Sequence, residues 1–320
     1  MFITVTVGIL ITLALYWFTF ALIRKLPQKA EKRVTPYAFI APVLFLISSF
    51  IIYPAIQTIK LSFMDAWSTE WVGLDNYIYI VTDKEFLITI TNNFLWIAVV
   101  PISSLIIGLA MAVFSNEVGP VRERVFKSIV FIPMAISFVS AASIWSFAYA
   151  YRPDGGDQIG MFNAFWTWLG NEPVAWMATS EFKLNSLLMM VVVLWGSAGF
   201  STVLLSAAIK SVPEETTEAA KIDGANTRQI FFRITLPQIR STALAVFVTS
   251  AIGVMKIFDI VYAMTAGNNG TNVLGMAFIR QYFAYNEAGR ASAVVVILMI
   301  LIIPVMIYQV HSNRKQEELR

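Results

Sequence analysis

The sequence predicts an all-α integral membrane protein, and two observations predict it: the composition and the length of the apolar stretches. Of the 320 residues, 58% are hydrophobic and 13% are charged, and the mean hydropathy is +0.69. A soluble domain carries about 25% charged residues, so this composition cannot cover a water-facing surface, and it excludes the soluble, disordered and fibrous classes. Because backbone groups in lipid must bond to one another, long apolar stretches are expected to be helical.

Seven apolar stretches are long enough to cross a bilayer, whose core of about 30 Å needs roughly 20 helical residues. They lie at 3–23, 37–59, 92–114, 128–150, 185–209, 242–264 and 291–310. Five basic residues follow the first stretch and none precedes it. A cleavable signal peptide has the opposite charge order, so we expect a retained helix with its N-terminus outside.

Lysine and arginine are unevenly divided between the connections that join these stretches. One alternate set holds sixteen of them and comprises 24–33, 115–127, 210–240 and 312–320. The other set holds six and comprises 60–91, 151–184 and 265–290. Because basic residues concentrate on the cytoplasmic side of membrane proteins, the first set is predicted to be cytoplasmic. The N-terminus is then outside and the C-terminus inside.

The composition also limits the chemistry. The chain has no cysteine and one histidine, His311, which leaves little for metal or acid–base chemistry. We therefore expect no metal site, no catalytic residue and no cofactor in this chain. A net charge of +3 without long basic runs argues against nucleic acid as a partner. No stretch fits the G-x-x-x-x-G-K-[ST] pattern of a phosphate-binding loop, so ATP hydrolysis is not expected of this chain.

The cytoplasmic connection 210–240 is polar and carries helix signals of its own. Pro213, followed by Glu214 and Glu215, favours a helix start, because proline fits the first turn and acidic side chains face the positive end of the helix dipole. Gly224 permits a sharp turn, and a second short helix is expected from about Asn226. The pattern predicts a helix–turn–helix whose small alanines allow another protein to approach closely.

This connection resembles a known motif. It reads EAA at 218–220, glycine at 224 and ITLP at 234–237. The spacing resembles, without a gap, the EAA motif of permease subunits in bacterial ABC importers. Further along, 256–265 reads KIFDIVYAMT. This stretch is similar to the carbohydrate branch of that family, which includes maltose, glycerol-phosphate and alpha-glucoside permeases.

The resemblance implies a type I ABC importer transmembrane fold with a six-helix core and one additional N-terminal helix. The implied domains are an N-terminal helix with a basic linker at 1–35, a second helix with an external loop at 36–91, the core with its coupling loop at 92–311, and a cytoplasmic tail at 312–320. Within the core, 210–240 would be the coupling loop.

The implied function is that of a permease subunit that moves a sugar or oligosaccharide into the cytoplasm by alternating access, in the bacterial inner membrane. The implied partners are a second homologous permease, two ATPase subunits and an external solute-binding protein, with ATP and Mg²⁺ bound on the ATPase. Two alternatives stay open: a secondary transporter driven by an ion gradient, and an ABC permease for a solute other than a sugar.

The resemblance also assigns site residues. The residues expected to contact the ATPase are Glu218, Ala219, Ala220, Asp223 and Gly224. The residues expected to contact the sugar are Gly196, Ser197, Phe200, Ser250, Val254 and Ile257. From the residues alone, close helix packing explains the small side chains at 196–199 equally well.

Lys256 and Asp259 are the charged residues inside the predicted spans. Charge inside the membrane costs about 3 kcal/mol per residue and often marks a functional site. On a continuous helix, however, the i, i+3 spacing would let these two side chains pair. They would then lie roughly 120–180° around the helix from Ser250, Val254 and Ile257. We therefore favour a structural pair that faces a neighbouring helix over a ligand for substrate or protons.

Overall fold

A computed structural model describes residues 14–21, 23–24, 27–153 and 156–317, and most of this part of the chain is helical. The predicted first span, 3–23, lies largely outside the described residues. Within them no β-strand forms, and the extended backbone is limited to one isolated bridge between Met64 and Trp71. The all-α fold class is therefore confirmed.

The chain divides into two compact units, residues 1–62 and 63–320. In the first unit one apolar helix runs from Glu31 to Leu61, so the predicted span 37–59 is confirmed. It consists of α1, Gln28–Ile47, a π-helical turn at Ser48–Ile52 and α2, Tyr53–Leu61. Most of its side chains are exposed, as expected of a helix whose neighbours are lipid tails.

In its described residues the second unit has twelve further α-helices, besides short helical segments such as Leu236–Gln238. They are α3 Asp75–Thr82, α4 Lys84–Glu117, α5 Pro120–Phe131, α6 Phe138–Ala148, α7 Met161–Trp168, α8 Leu184–Lys210, α9 Glu214–Ile222, α10 Thr227–Ile230, α11 Arg240–Met255, α12 Asp259–Thr265, α13 Leu274–Ile279 and α14 Ala288–Glu317. The predicted spans 92–114, 185–209 and 291–310 fall within α4, α8 and α14, each of which includes an apolar segment long enough to cross a membrane.

Helices α4 and α8 approach each other closely at small residues. A Cβ added at Gly108 of α4 would lie 2.7 Å from the Cβ of Ser201 on α8. Nearby, the hydroxyls of Ser104 and Ser201 share a hydrogen bond of 2.8 Å. Small side chains allow such close packing between membrane helices. The α4–α8 pair is therefore a rigid scaffold for the segments that pack around it.

The predicted span 128–150 is wrong as a single straight helix. Helix α5 ends at Phe131, a 3₁₀ turn follows at Ile132–Ala135, and α6 begins at Phe138 at an angle of 100° to the preceding helix. Pro133 lacks the N–H that would continue α5. The Ser137 side chain then caps α6 by accepting a hydrogen bond of 3.2 Å from the Ser140 N–H.

The predicted span 242–264 is also interrupted. Helix α11 ends at Met255, and α12 begins at Asp259. The buried Asn93 of α4 stabilises the interruption: its amide donates to the Met255 carbonyl at 3.1 Å. The carbonyl oxygen of the same side chain accepts from the Leu274 N–H at 2.7 Å, at the start of α13, Leu274–Ile279. Backbone groups freed in a membrane need such partners.

Counted by length and composition, the described residues contain four helices that can cross a membrane. The count rises to six when each of two bent pairs is taken as one span: Pro120–Ala135 with Phe138–Ala148, and Thr227–Gln238 with Arg240–Met255, which meet at 69°. This agrees with the predicted six-helix core. The predicted domain boundaries at 35, 91 and 311 stay a prediction.

Candidate functional site

A cavity of about 450 Å³ lies in the second unit, where α4, α6, α8 and α11 meet. The segment between α11 and α12 closes one side. The lining residues are Ser104, Phe138, Val193, Ser197, Phe200, Ser201, Val246, Thr249, Ser250, Gly253, Val254, Lys256, Ile257, Phe258 and Asp259. The lining therefore combines hydroxyl groups, phenyl rings and aliphatic surface with one positive and one negative charge.

Five of the six residues predicted to contact cargo line this cavity. Ser197 and Phe200 come from α8, and Ser250 and Val254 come from α11. Ile257, from the interruption, joins them. The structure thus brings together residues from two predicted spans, although their role in binding a sugar stays a prediction.

Gly196 lies just behind the cavity lining. A Cβ added there would stand 3.2 Å from the ring of Phe138, a side chain that does line the cavity. This distance is tight for a Cβ contact, so a larger residue at 196 would push on the ring. Gly196 therefore permits the close approach of α6 and α8, which is the packing role that its small size indicated.

Several cavity residues were not predicted. Ser201 lies one helical turn after Ser197 and was within reach of the helical period. Ser104 and Phe138 belong to other helices, and no local signal in the sequence connects them to this site. Existing hydrogen bonds occupy part of the hydroxyl lining: Ser197 donates to the Val193 carbonyl at 2.8 Å, while Ser104 and Ser201 bond to each other.

The predicted ion pair between Lys256 and Asp259 does not form. Among the described residues no ion pair within 4.0 Å and no hydrogen bond involves either side chain. Both residues also line the same cavity as Ser250, Val254 and Ile257 instead of the opposite face. The reason is the interruption between α11 and α12, because the predicted angles assumed a continuous helix.

The ends of the two half-helices account for the sign of each charge. Lys256 caps the C-terminus of α11, and Asp259 is the first residue of α12. A positive charge at a helix C-terminus and a negative charge at an N-terminus are each stabilising by about 0.3–1 kcal/mol. This offsets only part of the cost of about 3 kcal/mol for each charge inside a membrane.

The predicted helix–turn–helix at 210–240 is confirmed. Helix α9 begins directly after Pro213 and ends at Ile222. Gly224 has a φ of +80°, the left-handed conformation that glycine adopts at little cost. Asn226 then starts α10 with a capping box: its side chain accepts from the Gln229 N–H at 2.9 Å, and the Gln229 side chain accepts from the Asn226 N–H at 2.8 Å.

Four of the five residues predicted to contact a partner are exposed: Glu218, Ala219, Asp223 and Gly224. Ala220 differs, because its side chain is buried against the chain itself and its carbonyl accepts from the Ala225 N–H at 2.9 Å. Ile222, which was not predicted, is 86% exposed at the end of α9. An isoleucine on an otherwise polar helix was the available signal.

A three-charge cluster, formed by Glu123, Lys127 and Lys210, joins α5 to the end of α8. Oε1 of Glu123 lies 2.5 Å from the ammonium of Lys127 and 2.5 Å from that of Lys210. Lys210 is the last residue of α8 and immediately precedes the segment that leads into α9. The Lys127 contact follows the i, i+4 spacing, whereas nothing in the sequence indicated the contact with Lys210. The cluster therefore connects α5 to the end of α8, just before the helix–turn–helix begins.

The chain matches one protein family and is similar to curated transport proteins. Residues 104–318 match the family described as "Binding-protein-dependent transport system inner membrane component". The chain is 46% identical to the osmoprotective compounds uptake permease GgtC of Synechocystis, covering 88% of this chain and 100% of GgtC. It is 38% identical to the alpha-glucoside transport permease AglF of Rhizobium meliloti, covering 98% of this chain and 96% of AglF.

The fold has a counterpart among solved structures. A chain of a bacterial ABC transporter involved in the import of the acidic polysaccharide alginate superposes with a TM-score of 0.76. The superposition covers 89% of this chain and 98% of the other, at 22% identity. This likeness shows that the helices are arranged as in an ABC importer permease.

Proposed function

The chain belongs to the family of binding-protein-dependent transport system inner membrane components, and we propose that it is the permease subunit of an ATP-driven importer that brings a sugar or oligosaccharide into the cytoplasm. The observation that carries this proposal is the exposed helix–turn–helix at 210–240 on the same chain as a membrane cavity. A transporter driven by another protein needs both features: a surface that receives movement and a cavity that holds cargo.

The energy source is a separate ATPase subunit. This chain lacks the glycine-rich lysine motif that binds nucleotide phosphates, so ATP and Mg²⁺ bind on the partner. Two such subunits, a second homologous permease and an external solute-binding protein complete the assembly. The family description supports the last of these partners, because it names transport that depends on a binding protein.

The ATPase contacts the helix–turn–helix through Glu218, Ala219, Asp223 and Gly224, and the exposed side chain of Ile222 joins this contact surface. Ala220 acts from the inside, where its small buried side chain fixes the end of α9. The Glu123 cluster links the base of this loop to α5, so a push on the loop moves α5 and α8 together.

The cavity between α4, α6, α8 and α11 holds the cargo as it crosses. Sugars present hydroxyl groups and weakly apolar ring faces, and sites for such ligands combine a few polar groups with aromatic surface. The cavity offers this combination through Ser197, Ser250, Phe138 and Phe200. The name of the alpha-glucoside permease, with which the chain shares 38% identity, supports a carbohydrate cargo.

The protein lies in the bacterial inner membrane with its N-terminus outside and its C-terminus in the cytoplasm. Sixteen lysines and arginines in one set of connections, against six in the other, support this orientation. The helix–turn–helix at 210–240 belongs to the basic set, so it faces the cytoplasm, where ATP is available.

The experiment that tests this proposal compares Gly224→Val with wild type in the complete importer reconstituted in proteoliposomes. No atom lies within 4 Å of a Cβ added at Gly224, so the substitution brings strain but no collision. The left-handed backbone costs a residue with a side chain roughly 1–2 kcal/mol, which lowers the equilibrium constant for forming the native turn by a factor of about 5–30. We expect ATPase activity to persist while ATP-dependent sugar uptake falls by up to that factor.

Two control variants separate coupling from strain. Gly224→Asn is expected to keep most of the uptake, because asparagine tolerates the left-handed conformation. Gly170→Val introduces the same strain at φ +84°, also without a collision, but in a segment predicted to be external, so uptake should stay normal. Undiminished uptake by Gly224→Val would contradict the coupling role. Uptake driven by a proton or sodium gradient without ATP would favour a secondary transporter instead.

A further inference from the structure

Lys256 and Asp259 are the two charged groups in the lining of the cavity, and neither has a partner among the described residues. Lys256 is exposed and Asp259 is half-buried. Both side chains therefore have hydrogen-bonding capacity that the protein itself does not use. The ends of α11 and α12 explain the sign of each charge but supply no partner for the ammonium or the carboxylate.

The depth of these residues makes this lack of partners significant. Helix α11 begins at Arg240, in the predicted cytoplasmic connection, and Lys256 follows sixteen positions later. At 1.5 Å per residue this places Lys256 about 24 Å along the helix, which is inside a bilayer core of about 30 Å. Lipid tails offer no hydrogen bonds to the two charged groups, and no side chain among the described residues bonds to either of them.

The rest of the lining is largely apolar and adds neutral hydroxyl groups. Val254 and Ile257, which lie on either side of Lys256 in the sequence, contribute only aliphatic surface. The Ser197 hydroxyl proton and one proton of the Ser104–Ser201 pair are already engaged in hydrogen bonds, which leaves the hydroxyls of Thr249 and Ser250 as the neutral polar groups of the lining without a described bond. The two charges offer a ligand the strongest hydrogen bonds in the cavity, because bonds with an ionised partner are about twice as strong as those with the neutral hydroxyls.

We propose that Lys256 and Asp259 are the residues that recognise the cargo inside the membrane, and that this cargo is an uncharged polyhydroxylated molecule such as a small glycoside. The Asp259 carboxylate accepts hydrogen bonds from sugar hydroxyls, and the Lys256 ammonium donates to hydroxyl or ring oxygens. One positive and one negative charge leave the site neutral, which matches a neutral cargo. This inference rests on the proposed function, since it assumes that cargo passes through the cavity.

The size and the rings of the cavity narrow the cargo further. A volume of about 450 Å³ is within the range of sites for small molecules, roughly 300–1,000 Å³. The cavity therefore suits one or two sugar units at a time. The side chain of Phe258, between the two charged residues, and that of Phe200 provide aromatic surface for the apolar face of a pyranose ring.

The test uses Lys256→Met and Asp259→Asn in the complete importer, reconstituted with its binding protein in proteoliposomes. Wild type is first assayed for ATP-dependent uptake of radiolabelled trehalose, sucrose, maltose and methyl α-glucoside, and the sugar imported fastest becomes the probe. With saturating loaded binding protein, each variant is expected to import the probe about 10–100-fold more slowly, the loss expected for a hydrogen bond to a charged group. ATP hydrolysis should continue.

Deoxy analogues of the probe distinguish cargo recognition from a structural role. If Asp259 bonds to a sugar hydroxyl, the analogue without that hydroxyl is imported equally by wild type and Asp259→Asn. A purely structural role would slow the import of the parent sugar and of every analogue by the same factor, and that result would overturn the proposal. Import of the parent sugar by both variants at the wild-type rate would also overturn it.

Matched controls place the same substitutions at equivalent helix positions away from the cavity. Asp75 is the first residue of α3, as Asp259 is of α12, and it is exposed; Lys60 lies exposed in the last turn of α2. Asp75→Asn and Lys60→Met should leave uptake unchanged. If the cavity variants unfold in detergent, Asp259→Glu and Lys256→Arg take their place, because they keep each charge but move it. If these variants import the deoxy analogues in the same order of rates as wild type does, the proposal is overturned. Failure of wild type to import any of the four sugars would overturn the proposed function as well.

Discussion

Replacing Asn93 by leucine tests how the interruption between α11 and α12 is held in place. The side chain of Asn93 is buried and makes two hydrogen bonds to backbone groups, the Met255 carbonyl and the Leu274 N–H. Leucine has a similar volume but bonds to neither, so two buried backbone groups lose their partners. Each unsatisfied group costs about 1–3 kcal/mol, which gives a predicted loss of about 2–6 kcal/mol in unfolding free energy.

The assay is thermal unfolding of the purified protein in detergent, followed by the loss of helical circular dichroism. A change of 1 kcal/mol shifts the midpoint by roughly 2–4 °C in a domain of about 200 residues, so a decrease of at least about 4 °C is expected. Thr91→Ala is the control, because exposed Thr91 bonds only to a carbonyl of its own helix, and it should change the free energy by less than about 0.5 kcal/mol. An Asn93→Leu midpoint equal to that of wild type would refute the reasoning.

Two further predictions concern packing and charge. A Cβ on Gly199 would lie 2.7 Å from the Val130 carbonyl oxygen, so Gly199→Ala should lower the unfolding free energy by about 1–3 kcal/mol. Gly253 has open space around it, so Gly253→Ala should leave the unfolding free energy unchanged. Equal thermal unfolding midpoints for the two variants would contradict this prediction. Glu123→Gln should make the thermal unfolding midpoint less sensitive to salt, because in wild type high salt screens the ion pairs of Glu123 with Lys127 and Lys210. A variant whose midpoint responds to salt as wild type does would show that the cluster adds nothing to stability.

The sequence predicts the features that depend on neighbouring residues. The apolar spans follow from composition, and the helix–turn–helix at 210–240 follows from a proline, two acidic residues and a glycine within a short segment. The features that it does not predict depend on distant residues. The interruption after Met255 involves Asn93, which is 162 positions away, and the Lys210–Glu123 contact spans 87 positions.

The error over Lys256 and Asp259 has the same origin. The angular positions predicted for these two residues are those of a continuous helix, which the apolar character of 242–264 indicates. Helix α11 instead ends at Met255, where the distant Asn93 bonds to the carbonyl, so Lys256 and Asp259 lie beyond its end. Both charged side chains then line the cavity. Local periodicity identified the charged residues but could not identify the face on which they lie.

The hydrogen bonds that shape the helix–turn–helix have a consequence for the energetics of assembly. The side-chain hydrogen bonds described for residues 213–229 all stay within that segment, from the first turn of α9 to the Asn226–Gln229 box. The loop is therefore ordered before any partner arrives, so association does not have to immobilise it, and less conformational entropy is lost on binding. A preformed helix–turn–helix also moves as a rigid body when it is displaced, whereas a flexible loop would change shape and transmit less of the displacement.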